Sequence, residues 1–253
     1  MEFFKYQGTG NDFVMIDNRE MQFDDTQANI ARLCHRRFGV GADGLILIEN
    51  AEGYDFRMRY FNADGGEGSM CGNGGRCAVQ FAADLGIFKD HTRFLAVDGE
   101  HSSKTGHGNV FLHMIDVDGI TEEADGFFVN TGSPHLVIFH PDVDALDVKG
   151  VGSAIRYSDY WKNRGGVNVN FVQVLGSSAL KVRTYERGVE DETYSCGTGV
   201  TAAAVVSHLR KSTATEVHIQ TLGGELKVSL NPGDKISGII LSGPAKRVFR
   251  GEL

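Results

Sequence analysis

The chain has 253 residues, 41% of them hydrophobic and 23% charged, with 33 acidic against 25 basic side chains and a formal net charge of −8. This composition gives a globular chain with material for one large or two small cores; an acidic balance without a basic cluster weighs against nucleic-acid binding and attraction to an anionic membrane. The start, Met1 to Tyr6, lacks a basic region followed by a long apolar core, and no apolar run is long enough to span a bilayer, so a cytoplasmic protein acting on a small molecule is expected.

Turns rich in Gly, Asn and Asp divide the chain into short segments of alternating polarity, each predicted as a strand. Gly10 opens an apolar run over 10–14. A helical period covers 26–37 and sets Cys34 among apolar residues, as core packing. Strands are predicted at 45–49 and 57–62, the latter running into a Gly- and acid-rich loop before Cys71-Gly72-Asn73-Gly74. A helix over 75–85 follows, and Cys77 inside it is again a buried small hydrophobe. Strands at 94–97 and 110–115 complete the first half. The second half repeats this order. A glycine turn, Gly132-Ser133-Pro134-His135, precedes a strand at 136–139; then come a helix at 142–152 and strands at 169–174 and 181–186. A second loop leads to Cys196-Gly197-Thr198-Gly199, a helix at 200–209 and strands at 217–221 and 226–230. The last alternating segment, 245–250, is expected to return to the first half.

Cys71 and Cys196 stand 125 residues apart, and Gly10 and Gly132 stand 122 apart, so two distant points keep nearly one register. A repeat this long predicts two similar half-domains: residues 1–115 completed by 243–253, and residues 116–242. The expected fold class is α+β, each half a curved, mostly antiparallel sheet around the helix that begins after its CGxG turn. The uncharged run Thr201 to Val206 suits a helix buried on most sides.

Four cysteines do not make a disulfide scaffold, and without a CxxC pair or an HExxH segment a metal site is unsupported. The shared glycine setting singles out Cys71 and Cys196. A thiol ionises near pH ~8.5, and lower at a helix N-terminus. A thiol and a thiolate at two such termini can act as acid and base on opposite faces of one carbon, as inversion of an amino-acid α-carbon requires. Backbone N–H groups of Gly72, Asn73, Gly74, Gly197, Thr198 and Gly199 can cradle a carboxylate and stabilise the charge it gains as the α-proton leaves. No electron-sink cofactor is then needed, and no GxxxxGK loop or singled-out lysine points to pyridoxal phosphate. Asn11, Asn62 and Asn168 lie at turns or strand ends, and Glu186-Arg187 adds one charge of each sign. Singly, an Asn there serves the turn; as a group these residues suit a substrate with a second amino-acid end. His135 is either a satisfied turn residue or a proton acceptor tuning a nearby thiol. Two other uses of the cysteine pair stay open: a redox switch closing a Cys71–Cys196 disulfide, and an amino-acid-binding protein without catalysis.

Seven segments in order carry a resemblance over nearly the full chain. They are Phe4-Lys5-Tyr6-Gln7-Gly8-Thr9-Gly10-Asn11-Asp12-Phe13-Val14, Phe38-Gly39-Val40-Gly41-Ala42-Asp43-Gly44, Phe61-Asn62-Ala63-Asp64-Gly65, Cys71-Gly72-Asn73-Gly74-Gly75-Arg76-Cys77, Pro134-His135, Glu186-Arg187-Gly188 and Ser195-Cys196-Gly197-Thr198-Gly199. Together they resemble the diaminopimelate epimerase family. The resemblance implies two domains related by pseudo-twofold symmetry, no cofactor, a homodimer, and interconversion of LL- and meso-diaminopimelate for lysine and cell-wall synthesis. It makes Cys71 and Cys196 the acid and base, and Gly72, Asn73, Gly197 and Thr198 the α-carboxylate cradle. Asn11, Asn62, Asn168, Glu186 and Arg187 become substrate-binding residues, with Arg187 facing the distal carboxylate, while His135 and Glu186 support the thiols. Two departures stand out. Ser133 replaces the Asn of many members, so a distal contact there becomes shorter, water-mediated or absent. The stretch from Glu186 to Cys196 is one residue longer than the family spacing, and Glu190-Asp191-Glu192 makes it an acidic, bulged loop. Proline racemase-like enzymes also carry two cysteines in comparable turns, but with His expected where this chain has Asn73 and without the Gly10-Asn11-Asp12-Phe13-Val14 start.

Overall fold

A computed structural model describes residues 1–68, 70–211 and 213–253, which fall into two compact units, Met1–Leu112 with Gly243–Leu253, and His113–Ser242. In chain order the elements up to the first boundary are β1 (Glu2–Gly8), β2 (Asn11–Asp17), α1 (Gln27–Cys34), β3 (Gly44–Glu49), β4 (Phe56–Asn62), α2 (Gly72–Asp84), β5 (His91–Ala96), β6 (Gly99–Gly106) and β7 (Asn109–His113). There follow β8 (Thr121–Glu123), β9 (Gly126–Asn130), β10 (Pro134–Phe139), α3 (Val148–Arg156), α4 (Asp159–Lys162), β11 (Asn168–Gly176), β12 (Ala179–Glu186), β13 (Asp191–Thr193), α5 (Gly197–Lys211), β14 (Glu216–Thr221), β15 (Gly224–Asn231), β16 (Ser237–Gly243) and β17 (Lys246–Glu252).

The repeat seen in the sequence is a repeat of strand order. In the first unit β17, β1 and β2 pair antiparallel, β2 and β3 parallel, β3 and β4 antiparallel, β4 and β5 parallel, and β5, β6 and β7 antiparallel. The second unit runs through the same steps with β8, β9, β10, β11, β12, β14 and β15, its parallel pairs being β10 with β11 and β12 with β14, and β16 adds to β15 antiparallel. The C-terminal β17 thus takes, on β1, the place that β8 takes on β9.

Each sheet is covered on both faces, so its central strands read as continuous apolar runs rather than strict alternation. All six residues of β3 are buried. Leu45 and Leu47 pack with Ile30, Leu33 and Cys34 of α1, while Ile46 points to α2, its Cδ1 being 3.3 Å from where a Cβ on Gly74 would stand. In β11, Val169 and Phe171 join the cluster under α3 and α4, and Val172 joins the one around α5. The two-residue period therefore puts Asn168 and Asn170 on the α5 side. The α5 helix is buried from Gly199 through Ser207. Its Val200, Val205 and Val206 lie among Val182, Val217, Ile219, Val228 and Leu241, each fully buried Val contributing roughly 1.5–3 kcal/mol.

Helix boundaries differ from the sequence expectation for local reasons. The helices expected from 75 and 200 begin three residues earlier, because the CGxG glycines make the first turn themselves: Gly75 N donates to Cys71 O at 2.7 Å and Val200 N to Cys196 O at 2.9 Å. The helix expected at 142–152 runs instead over Val148–Arg156, since Asp147 caps it by accepting from Gly150 N. A short α4, capped by Ser158, was not expected. The first helix stops at Cys34, where His35 turns to an extended conformation. The polar strand β6, Gly-Glu-His-Ser-Ser-Lys-Thr-Gly, lacked the apolar alternation that marks a strand; β8, β9, β13 and β16 were also unforeseen. Among the described residues no helix is long and apolar enough to cross a membrane.

Candidate active site

Cys71 occupies the N-cap of α2 in an extended conformation (φ −110°, ψ 127°). The helical ladder starts at Gly75, so the N–H groups of Gly72, Asn73 and Gly74 lie ahead of it at the positive end of the helix dipole. Asn11, the first residue of β2, brings its Oδ1 to 3.7 Å from Cys71 Sγ and 3.5 Å from Asn73 Nδ2. The Asn11 amide cannot turn over, because its Nδ2 donates to Asp43 Oδ2 at 2.7 Å and a carboxylate only accepts. Asp43 is itself held by Arg36 (2.7 Å), which also grips Asp12 (2.8 Å), and Lys5 meets Asp12 at 2.8 Å. Burial works against ionisation of Asp12, but hydrogen bonds from Arg36 and Lys5 hold it well below the usual carboxylate range. The whole constellation hangs from the two-residue turn Thr9-Gly10, both at positive φ (50° and 87°), which joins β1 to β2. The Asn62 side chain accepts from Tyr60 OH (3.0 Å) and donates to Gly66 O (3.5 Å) in the turn that ends β4.

The second unit builds the corresponding place with different side chains. The α5 ladder likewise leaves Gly197, Thr198 and Gly199 ahead of it. Cys196 Sγ lies 3.4 Å from Thr198 Oγ1, and Thr198 Oγ1 lies 2.9 Å from His135 Nε2. The other ring nitrogen, Nδ1, meets Asn170 Nδ2 at 3.1 Å. Asn170 Nδ2 also donates to Leu136 O (3.1 Å) and its Oδ1 accepts from Thr184 Oγ1 (3.0 Å), so its amide orientation is settled. His135 Nδ1 must then accept, Nε2 carries the proton and donates to Thr198, and the Thr198 hydroxyl is left to donate to the Cys196 sulfur. Burial, with the Arg187 charge adding to it, lowers the His135 pKa to about 3, so the ring is neutral at physiological pH. Glycine is required at 199: a Cβ there would collide with Asn170 Oδ1 and stand 3.3 Å from Cys196 Sγ.

Asn168 ties the remaining candidates together, donating to Ser133 Oγ (2.9 Å) and Pro134 O (2.8 Å) and accepting from Arg187 N (2.9 Å). The Arg187 side chain is exposed and donates to Gly165 O at 3.1 Å. Glu186 ends β12 half-buried, opposite Asp191 of β13. The longer loop after it turns back through Gly188 and Glu190, both at positive φ (96° and 58°). Its acidic residues are each met by a base: Glu190 by Arg156 (3.2 Å), Asp191 by Lys149 (2.6 Å) and Glu192 by Arg183 (2.7 Å). Cys34 and Cys77 are core residues, their thiols pushed up by burial to about 11 and about 12.

Among the residues not singled out from sequence are Asp43 and Asn170 of these networks and Arg76, whose Nη2 donates to Asn73 Oδ1 at 3.0 Å. Asn170 carried a signal, a second amide two positions after Asn168 in an otherwise apolar strand; Arg76 carried another, as the one charge in the first turns of an apolar helix. Among the described residues no group of three His, Cys, Asp or Glu side chains is placed to hold a metal ion.

Solved structures share this fold. A PhzF-family phenazine biosynthesis protein of Bacillus anthracis matches with a TM-score of 0.80 at 14% identity, covering 100% of this chain and 98% of its own. A probable proline racemase from Agrobacterium radiobacter matches at 0.70 with 14% identity, over 100% and 92%. The fold is thus that of the PhzF and proline racemase group. Residues 3–119 and 127–248 match the family model for diaminopimelate epimerase. The diaminopimelate epimerase of Flavobacterium psychrophilum is 48% identical over 253 residues, covering 98% of each chain, and that of Chlorobaculum tepidum 46% identical over 257, covering 97% of this chain and 98% of its own. The chain belongs to the diaminopimelate epimerase family.

Proposed function

We propose that this protein interconverts LL- and meso-diaminopimelate by a two-base mechanism without a cofactor, with Cys71 and Cys196 as the reacting thiols. The observation that carries this reading is the duplication itself: two units of one strand order, each presenting a thiol at the head of a buried helix, with unlike polar neighbours. One sulfur, as thiolate, removes the α-proton; the other, as thiol, returns a proton to the opposite face; the two exchange roles in the reverse direction. The N–H groups of Gly72, Asn73, Gly197 and Thr198 hold the α-carboxylate and take up the charge that develops on it. Asn11, Asn62, Ser133, Asn168, Glu186 and Arg187 recognise the rest of the substrate, Arg187 the distal carboxylate. Supply of lysine and of a peptidoglycan precursor, a homodimeric state and a cytoplasmic location belong to the same reading.

Incubating the protein with LL-diaminopimelate in deuterium oxide, without pyridoxal phosphate, tests it. Deuterium is expected at the inverted α-carbon and in the meso product, with no reaction on proline. Rapid turnover by Cys71→Ala or Cys196→Ala would sink the two-base mechanism.

A further inference from the structure

Arg76 is wholly buried, yet no carboxylate pairs with it among the described residues. Its Nη1 donates to Gly72 O (3.3 Å), its Nη2 to Thr9 Oγ1 and Asn73 Oδ1 (both 3.0 Å), and its Nε is buried without an acceptor. A charge taken out of water without a counter-ion is strongly disfavoured. Burial accordingly pulls the Arg76 pKa down, and the groups that act to keep it charged are Cys77 and Cys71. Cys77 cannot supply the anion, because burial pushes its thiol up to about 12 despite the guanidinium beside it. The negative charge left to answer Arg76 is a thiolate at Cys71, or a carboxylate in the Gly72 and Asn73 cradle.

The surrounding charges are otherwise engaged. Lys5 of β1 pairs with Asp12 of β2, which Arg36 shares with Asp43. Tyr6 of β1 donates to Asp84 and feels Arg247 of β17, Glu49 of β3 meets Arg59 of β4 at 3.5 Å, and His101 of β6 meets Asp98 at 2.9 Å. The β1 backbone closes over the guanidinium with Gly8, where a Cβ would stand 3.4 Å from Arg76 Nη2.

The second unit supplies an internal comparison. Thr201 follows Cys196 by the same five positions that separate Arg76 from Cys71. Its Oγ1 donates to Gly197 O at 2.9 Å, the carbonyl equivalent to Gly72 O. A hydroxyl therefore satisfies that carbonyl, and the turn alone does not require a buried cation.

We propose that Arg76 is a positioning residue for the reaction: it fixes the Asn73 amide with its NH2 toward Asn11, and it supplies the buried positive charge against which Cys71 ionises. This rests on Cys71 being one of the two reacting thiols. Asn11 Oδ1, accepting from the Cys71 thiol at 3.7 Å, favours the protonated form, but a thiol is a weak donor and a buried charge outweighs it. Cys71 is thereby held where it can both lose and regain a proton.

The test compares Arg76→Met, which removes charge and hydrogen bonds, with Arg76→Lys, which keeps the charge but not the fork to Thr9 and Asn73. Iodoacetamide alkylation of Cys71, followed by peptide mass mapping between about pH 6 and 10, reads its thiolate fraction without turnover. In Arg76→Met the midpoint should rise by about 1–3 pH units, with alkylation at pH 7 slowed at least ~10-fold; Arg76→Lys should stay near wild type in midpoint while losing kcat. Circular dichroism melting establishes that each variant is folded, and Arg76→Gln is read in place of Arg76→Met should the latter not fold. A wild-type alkylation midpoint in a folded, uncharged variant overturns the proposal. Full turnover by Cys71→Ala would instead defeat the underlying mechanism, and that result is independent of the midpoint.

Discussion

Asn11 donates its amide to Asp43 Oδ2 at 2.7 Å, and that bond decides what Cys71 faces: the Asn11 carbonyl, 3.7 Å from the sulfur. In the second unit the neighbour of Cys196 is a hydroxyl, Thr198 Oγ1 at 3.4 Å, backed by His135. One thiol is met by an acceptor and the other by a donor, so the two halves of a duplicated framework give their thiols unlike hydrogen-bond partners.

Asp43→Ala should loosen the Asn11 amide, leaving the 3.5 Å bond from Asn73 Nδ2 to hold its carbonyl toward the sulfur. A lost hydrogen bond of this kind is worth about 1–1.5 kcal/mol, so kcat/KM should fall about tenfold. Steady-state kinetics measures the loss, and an unchanged melting temperature separates it from unfolding.

Thr198→Val keeps the shape of the side chain and removes the hydroxyl between His135 and Cys196. Turnover should drop roughly 10–100-fold, a hydrogen bond to a charged group being worth about 1.5–3 kcal/mol. Alkylation of Cys196 at neutral pH should slow as well, because its thiolate loses a hydrogen bond; a wild-type rate there would show that the relay through Thr198 is not used.

His135 gives a signed pH dependence of stability. Its folded pKa, about 3, lies below the unfolded value of about 6.5, so between the two the unfolded chain binds the extra proton. The stabilisation from the neutral ring is complete above about pH 6.5 and drains away as the pH falls toward 3, with a slope approaching about 1.4 kcal/mol per pH unit. Urea denaturation between pH 4.5 and 7 should show this slope in the wild type and lose that portion of it in His135→Gln.

Gly8→Ala tests the close approach of β1 to α2. The new Cβ would stand 3.2 Å from Asn73 O, 3.3 Å from Cys77 Sγ and 3.4 Å from Arg76 Nη2. Backbone on one side and a fully buried side chain on the other leave little room to yield, so a loss of about 1–3 kcal/mol is expected in chemical denaturation.

Sequence alone determined the features that are local or periodic. The glycine turns, the alternating strands, the repeat offset and the two CGxG thiols follow from chemistry within a few residues. Because α2 and α5 each bury nearly the whole circumference of their first turns, their composition announced them. The start of each helix was misjudged because glycine reads as a turn, whereas here the glycines are the first turn, with the sulfur just outside it. What only the tertiary structure decided is which polar groups meet. Asn11 and Asp43 are 32 residues apart, His135 and Thr198 63 apart; nothing in a local pattern distinguishes Asn11, which reaches across the sheet to Asp43, from Asn62, whose partners Tyr60 and Gly66 lie within four residues of it. Such contacts depend on strand register. A parallel β2–β3 pair brings residue 13 opposite 44, and a parallel β10–β11 pair brings His135 opposite Asn168, setting Asn170 beside the ring. Register is set by which faces are buried against which helices, a property of the folded sheet as a whole.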